Sequence, residues 1–169
     1  MFTKQQNNLL QKGTVLHNDS TTLLFDIFNS DAIPNFADLS EALLERTSWQ
    51  IHIVEGFIPA TEFLNLLFEK KFAARAWLRE PEQLDYLEVP DMFHDVFGHL
   101  PILFDENYAA FVSKIGLLGK KYWLSPECVD LIERFCWYSI DLGLVREHDV
   151  VKIFCAGIIS SFSETNRIF

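Results

Sequence analysis

The sequence predicts a mainly α-helical fold with a few short strands. Seven glycines and six prolines among 169 residues are too few for the closely spaced turns of an all-β domain. A hydrophobic share of 49% with 22% charged residues is sufficient for a substantial buried core. Because no repeat or low-complexity linker interrupts the chain, we expect a single domain over residues 1–169.

Capping residues and apolar spacing locate the first elements. Asp19 or Ser20 is a candidate cap for a helix that stops before Pro34, in the least informative part of the chain. Apolar residues at helical spacing predict a helix over residues 37–46. The alternating sequence at residues 49–54 predicts a half-buried strand directly after that helix.

Prolines divide the central region. Pro59 is expected to begin a helix that runs to about residue 71, and residues 72–78 are expected to be extended. Residues 92–100 are predicted to form a short helix that Pro101 terminates, because proline disfavours helical continuation.

Good N-caps mark the last predicted helices. Asp105 caps a helix that we expect to end near residue 118. Ser125 followed by Pro126 begins the clearest helix of the chain, and Gly143 ends it near residue 142.

Charge and cysteine content exclude several classes of protein. The net charge of −10 disfavours binding to nucleic acid or to an anionic membrane surface. The chain has no signal-peptide core and no run of 18 apolar residues, and its three cysteines lack CxxC spacing. We therefore expect a cytoplasmic protein without membrane or nucleic-acid partners. No function is assigned to His17, His52, His148 or the three cysteines.

The segment VPDMFHDVFGHLP, residues 89–101, carries the most chemical information. His94 and His99 are five residues apart, so they would diverge on a regular α-helix. Gly98 and Pro101 favour a distorted or ending helix, in which His99 can turn back towards His94. Solvated or capping histidines are the simpler alternative, but the apolar neighbours favour a shared metal ion.

Two histidines and one carboxylate form the metal-binding face that is typical of non-haem Fe(II) oxygenases. Glu133, Asp141 and Glu147 are the candidates for the carboxylate. We favour Asp141 because it lies at a nearly uncharged helix end, whereas the two glutamates adjoin other charged residues. The alternative is an ordinary helical aspartate that pairs with an arginine or caps the next segment.

The run REPEQLDYLEVPDMFHDVFGHLPIL, residues 79–103, closely resembles the metal-binding segment of the pterin-dependent aromatic amino acid hydroxylases, in particular the bacterial phenylalanine 4-hydroxylases. Further blocks resemble the pterin loop of that family, its third-ligand helix and the strand region that follows: residues 54–64, 136–144 and 154–164. The resemblance implies a hydroxylase-like core over residues 34–164, preceded by a divergent segment at residues 1–33.

The resemblance implies the cofactors and the residues that bind them. Fe(II) would be bound by His94, His99 and Asp141, with aspartate in place of the usual glutamate. A tetrahydropterin would lie against the loop of Gly56, Phe57 and Ile58, stack on Phe63 and contact Asp95 indirectly. Without the resemblance, Phe57, Ile58 and Phe63 would equally suit a hydrophobic staple at a helix start.

The same resemblance implies the substrate site. Arg79, oriented by Asp91, would bind the carboxylate of an amino acid, as suits a forked guanidinium. Trp137 and Leu142 would flank the aromatic ring, and Ser160 would support the iron ligands.

Besides Asp141, three features depart from the family. Cys136 replaces a tyrosine that is usual near the pterin, and Leu87 replaces a threonine that contacts substrate in some members. Members of the family also continue well beyond the block that ends at Glu164 and usually begin earlier, so we expect a truncated member that lacks part of the pocket wall.

Together these observations predict a non-haem Fe(II), tetrahydropterin-dependent monooxygenase, similar to phenylalanine 4-monooxygenase, that acts on an aromatic small molecule with O₂. One alternative is a pterin-independent Fe(II) oxygenase of a specialised pathway. The other is a non-catalytic paralogue that binds metal or ligand. A homo-oligomer or a partner chain would complete the pocket.

Overall fold

The computed structural model of the protein describes residues 1–11, 32–85 and 87–168. The helices are α1 (Phe2–Gln11), α2 (Phe36–Thr47), α3 (Ala60–Phe68), α4 (Leu100–Leu103), α5 (Glu106–Tyr122), α6 (Pro126–Cys136), α7 (Ala156–Ile159) and α8 (Phe162–Ile168). The strands are β1 (Gln50–Val54), β2 (Lys71–Arg75), β3 (Leu144–Glu147) and β4 (Val150–Ile153). Two π-helical segments, Phe93–His99 and Trp137–Asp141, and a 3₁₀ turn at Pro81–Gln83 complete the described elements. The expected mainly α fold with a few short strands is confirmed.

The described strands form two separate pairs. β1 and β2 are parallel, with Val54 opposite Arg75 at their carboxyl ends. β3 and β4 form an antiparallel hairpin whose two turn residues, His148 and Asp149, have φ values of 47° and 65°. The sequence did not predict this hairpin, because its turn lacks the Asn-Gly or Asp-Gly pair that usually marks such a geometry.

Local signals located most elements correctly. The expected helix at residues 37–46 is α2, and Asn35 caps it by accepting a hydrogen bond from the Ala37 N–H at 2.8 Å. The strand expected at residues 49–54 is β1, in which Val54 is buried and Ile51 half-buried. The caps proposed at Asp19 and Ser20 lie outside the described residues.

Several elements end at residues other than those predicted from the sequence. α3 begins after Pro59 as expected but ends at Phe68, and Lys70 adopts a left-handed φ of 55°. Asp105 caps α5 by accepting a hydrogen bond from the Tyr108 N–H at 2.7 Å, but the helix continues to Tyr122. The third hydroxylase-like block, at residues 154–164, is not a strand region, since α7 and part of α8 occupy it.

The expectation that Pro101 ends the central helix is wrong. The π-helical segment Phe93–His99 leads directly into α4, and Pro101 lies in the first turn of that helix. Proline is tolerated there because the first N–H groups of an α-helix have no intrahelical acceptor.

α1 has no counterpart among the sequence predictions, and a buried glutamine holds it in place. Gln5 Nε2 donates to the carbonyl oxygens of Ile159 at 2.7 Å and Ser161 at 3.3 Å, and it lies 3.0 Å from Thr165 Oγ1. These contacts join the first helix to α7 and α8, near the end of the chain.

None of the described helices is both long and apolar enough to cross a lipid bilayer.

Candidate active site

Three potential metal ligands converge at one point of the fold. The Nε2 atoms of His94 and His99 are 3.2 Å apart. Asp141 Oδ1 lies 3.1 Å from His99 Nε2 and 3.5 Å from His94 Nε2. Among the described residues, this is the one group of three or more histidine, cysteine or acidic side chains with suitable spacing for a metal ion. The structure therefore brings together the three residues singled out from the sequence.

The helix geometry that aligns the two histidines is a π-helix. In a π-helix the backbone hydrogen bonds join residues i and i+5, so His94 and His99 lie one turn apart. The expected distorted helix is therefore observed as a π-helix, whereas the alternative of a helix that ends at His99 is wrong, because α4 follows directly. Gly98 serves packing, because a Cβ at this position would lie 2.8 Å from the Cβ of Ala156 in α7.

A second π-helical segment, Trp137–Asp141, brings the carboxylate to the histidines. It extends α6, and its end is marked by a hydrogen bond from the Leu142 N–H to the Trp137 carbonyl oxygen at 3.0 Å. Gly157 allows α7 to pack against this end, since a Cβ there would lie 2.7 Å from the Asp141 carbonyl oxygen. Asp141 is thus positioned by a long-range contact as well as by its own helix.

The cluster has the properties of a metal site. Asp141 Oδ1 is buried and makes no hydrogen bond of good geometry, although both imidazoles are close to it. Burial favours a raised pKa for the Asp141 carboxyl, but His94 and His99 outweigh that effect and hold the pKa well below its usual range. His94 Nδ1 lies 3.0 Å from Ser160 Oγ, and donation there leaves the Nε2 lone pair facing the cluster. A divalent cation fits these two nitrogens and one oxygen.

Arg79 and Asp91 form a buried ion pair beside the cluster. Arg79 Nε and Nη2 donate to the two Asp91 carboxylate oxygens at 2.9 and 2.6 Å. The same carboxylate accepts the backbone N–H groups of Arg79 and His94 at 2.8 and 2.9 Å. Burial alone would raise the pKa of Asp91, but these hydrogen bonds outweigh burial and lower it. Asp91 therefore fixes both the arginine and the start of the histidine-bearing segment.

A second buried pair joins Arg75 to Asp95, and sequence reasoning missed the arginine. Asp95 Oδ2 accepts the Arg75 backbone N–H at 2.8 Å, and Arg75 Nη1 lies 3.2 and 3.3 Å from the two carboxylate oxygens. Arg75 Nε donates to the Gly56 carbonyl oxygen at 3.1 Å. Burial raises the pKa of Asp95, although the charges of His94 and Arg75 oppose this shift.

These groups surround one cavity of about 970 Å³. Most of the residues singled out from the sequence line it: Phe57, Ile58, Phe63, Arg79, His94, Asp95, His99, Trp137, Asp141, Leu142 and Ser160. Gly56 and Asp91 are not in its lining but hold Arg75 and Arg79, respectively. Glu133, a rejected candidate ligand, lines the cavity without joining the metal-ligand cluster.

The sequence profile described as the biopterin-dependent aromatic amino acid hydroxylase matches residues 11–168. The chain belongs to this family. The phenylalanine-4-hydroxylase of Ralstonia nicotianae is 39% identical over 135 residues, an alignment covering 80% of this chain and 43% of the relative. That of Vibrio cholerae is 33% identical over 165 residues, covering 98% of this chain and 56% of the relative. The chain therefore spans about half the length of these curated relatives.

Solved structures of the hydroxylase family share the fold. The Chromobacterium violaceum phenylalanine hydroxylase with bound iron(III) and 7,8-dihydrobiopterin is 33% identical, with a TM-score of 0.86 over 96% of this chain and 60% of that protein. The Legionella pneumophila phenylalanine hydroxylase is also 33% identical, with a TM-score of 0.83 over 96% of this chain and 72% of that protein. The described elements thus form the fold of the hydroxylase catalytic domain.

This hydroxylase-family cavity also has wall residues that no sequence motif indicated. Tyr108, in α5, lines the cavity and packs edge-on against Phe154 with ring centroids 5.6 Å apart. Burial, together with the Asp141 charge, raises the pKa of Tyr108 above its usual range. Burial also raises the pKa of the Cys136 thiol, to about 12. A single tyrosine in an amphipathic helix does not form a sequence motif. Only the three-dimensional structure therefore shows that Tyr108 lies on the cavity wall.

Proposed function

We propose that this chain forms the catalytic core of a non-haem Fe(II), tetrahydropterin-dependent monooxygenase that hydroxylates an aromatic amino acid or a close relative. The observation that carries the proposal is the convergence of His94, His99 and Asp141 on a cavity that Arg79 also lines. Family membership supports it, as does the similarity to a phenylalanine hydroxylase that contains iron and dihydrobiopterin.

In this proposal His94, His99 and Asp141 bind Fe(II) through Nε2, Nε2 and Oδ1. Three protein ligands leave other positions of the metal open. When bound, iron and the reduced pterin supply the activation of O₂, for which side chains alone are unsuited. Ser160 acts as a positioning residue, because its Oγ lies 3.0 Å from His94 Nδ1 and fixes the orientation of that ring.

We assign the pterin to the side of the cavity formed by the loop at Gly56 and by α3. Phe57 and Ile58 in the loop and Phe63 in α3 line this side. Phe57 is 66% exposed, whereas Phe63 is partly buried against the core, so Phe63 is the more rigid stacking surface. Asp95 is 1% exposed and engaged by Arg75, which supports an indirect contact with the pterin.

The substrate carboxylate is assigned to Arg79, and the contacts of its guanidinium limit how it binds. Nε and Nη2 each donate one hydrogen bond to Asp91. Nη1 donates to the carbonyl oxygens of Asp85 at 3.1 Å and Ser160 at 3.2 Å. Of five N–H groups, one on Nη2 is left without a partner among the described residues. The substrate would therefore receive one hydrogen bond, and a bidentate contact requires Nη1 to release a carbonyl.

The aromatic ring of the substrate is assigned to the wall formed by Trp137 and Leu142. Trp137 is 49% exposed and Leu142 is only partly buried against the core, so both have surface available to a ligand. Trp137 begins the π-helical segment that ends at Asp141, and Leu142 follows Asp141 directly, which supports a position of the ring close to the proposed metal. Ring hydroxylation requires this proximity because the reacting atoms must approach closely.

The proposal is tested by metal binding followed by turnover. Anaerobically purified protein is loaded with Fe(II) and supplied with phenylalanine, tyrosine or tryptophan, with and without tetrahydrobiopterin. We expect one iron per chain and hydroxylated product only when the pterin is present. Asp141→Ala should weaken iron binding at least tenfold, whereas Asp141→Glu should retain it. A chain that binds no iron contradicts the proposal, and turnover without pterin contradicts its cofactor.

The three cysteines of the chain are free thiols: Cys128, Cys136 and Cys155. Free thiols are typical of reducing compartments. We accordingly propose the cytoplasm as the compartment in which this chain functions, and localisation of a tagged chain in its host cells tests this assignment.

A further inference from the structure

Arg75 is a buried cation on the cavity wall to which neither the sequence nor the metal site gives a role. It ends strand β2 and is 9% exposed. Its side chain contacts two residues of the proposed pterin side, the Gly56 carbonyl oxygen and the Asp95 carboxylate. Arg75 therefore links the loop at Gly56 to the histidine-bearing segment, and both of these elements border the cavity.

The hydrogen bonds of Arg75 leave part of its guanidinium free. Nε donates to Gly56, and Nη1 donates to the two oxygens of Asp95. Among the described residues, no partner accepts the two N–H groups of Nη2. A guanidinium is a donor only, so these two N–H groups can be satisfied only by water or by a ligand. Because Arg75 lines the cavity, its Nη2 is available to a bound molecule.

The charge of the Arg75–Asp95 pair indicates which kind of acceptor suits Arg75 Nη2. Asp95 balances the charge of Arg75 across a 3.2 Å contact, so the pair as a whole is close to neutral. A neutral carbonyl oxygen is therefore a better match than a second anion, which would be repelled by the Asp95 carboxylate. The ring of a pterin carries such an oxygen, the 4-oxo group, beside the 2-amino group.

We propose, on the basis of the pterin assignment above, that Arg75 is a further cofactor-binding residue: Nη2 donates to the 4-oxo oxygen of the pterin ring while Nε and Nη1 hold the Gly56 loop and Asp95. The pterin is then held between an aromatic face at Phe63 and a donor at its oxo edge. This contact selects 2-amino-4-oxo pteridines over 2,4-diamino pteridines, because a 4-amino group would present hydrogens to a donor.

Binding of 7,8-dihydrobiopterin to Co(II)-loaded protein, measured by calorimetry, tests the contact. Arg75→Gln and Arg75→Lys should each weaken binding about tenfold to 100-fold, as expected for loss of a hydrogen bond from a charged donor. Arg134→Gln is the matched control. Arg134 lines the same cavity, but it pairs with Asp130 at 2.8 Å on the exposed side of α6, and its removal should leave affinity within twofold.

A second comparison separates direct contact from a purely structural role. The unaltered protein should bind 2-amino-4-oxopteridine at least tenfold more tightly than 2,4-diaminopteridine. In Arg75→Gln this preference should disappear or reverse, because the glutamine carbonyl can accept from the 4-amino group. Equal losses for both pteridines, or no preference in the unaltered protein, would overturn the contact even if the variants fold poorly.

The outcomes also distinguish this inference from the proposed function. If the unaltered protein binds dihydrobiopterin and both Arg75 variants bind it equally well, the role of Arg75 is refuted and the pterin-dependent activity stands. If the unaltered protein binds Co(II) but no pterin, the assignment of the cofactor fails, and the role of Arg75 fails with it. Co(II) affinity within twofold of the unaltered protein shows that the metal cluster of each variant is intact.

Discussion

The buried pair of Arg79 and Asp91 should make a large contribution to the stability of the fold. Asp91 is fully buried and accepts four hydrogen bonds, from three N–H groups of Arg79 and from the backbone of His94. Asp91→Ala would leave the Arg79 charge buried, with only two carbonyl contacts. Removing one partner of a buried pair costs about 3–5 kcal/mol. For a chain of this length that corresponds to a fall in Tm of roughly 6–20 °C.

The matched control is an exposed pair of the same residue types. Asp130 lies 2.8 Å from Arg134, and both side chains are more than half exposed. Asp130→Ala should therefore change stability by about 0.5 kcal/mol or less. Urea denaturation followed by circular dichroism measures both variants. An Asp91→Ala protein within about 1 kcal/mol of the unaltered protein would refute the reasoning about burial.

The same pair gives the stability a pH dependence with a definite sign. The folded-state pKa of Asp91 is lowered, so its ionised form is stabilised by folding. The contribution of ionised Asp91 to the free energy of unfolding is fully present above its unfolded-state pKa of about 3.9. It is lost as pH falls towards the folded-state pKa. The difference in unfolding free energy between the unaltered protein and Asp91→Asn should therefore shrink as pH falls from about 6 to 3. A difference that is constant over this range would contradict the ion pair.

Two further predictions concern the cavity wall. Gly157→Ala should destabilise the fold by about 1–3 kcal/mol and weaken Co(II) binding, because its Cβ would lie 2.7 Å from the Asp141 carbonyl oxygen; unchanged metal affinity would show that this contact does not position the ligand. Burial raises the pKa of Cys136 and Cys155 to about 12, so at pH 8 iodoacetamide should modify half-buried Cys128 first, as read by mass spectrometry. Equal labelling of all three thiols in folded protein would contradict that burial.

Features that rest on neighbouring residues could be predicted from the sequence. Ser125 and Asp105 cap their helices because the cap contact reaches only three residues along the chain. The importance of His94 and His99 was likewise visible, since two histidines amid apolar residues require partners. Choosing Asp141 over Glu133 and Glu147 depended on the charge of its sequence neighbours.

Features that depend on contacts between distant segments could not be predicted in this way. α1 was missed because its packing depends on Gln5 and residues more than 150 positions away. The π-helical geometry was missed because an i to i+5 pattern has no distinct periodicity in a segment of seven residues. Pro101 was misplaced for the same reason, since the π-helix shifts where the next α-helix begins.

The sequence by itself determined the family, the mainly helical fold and the identity of the candidate metal ligands, because residue type and short spacing carry that information. Only the tertiary structure decided how those residues meet. It joined Asp141 to the two histidines across more than forty residues of chain, and it placed Arg75 between Gly56 and Asp95. A cavity wall is made of side chains from separate elements, and their encounter depends on the packing of the whole core.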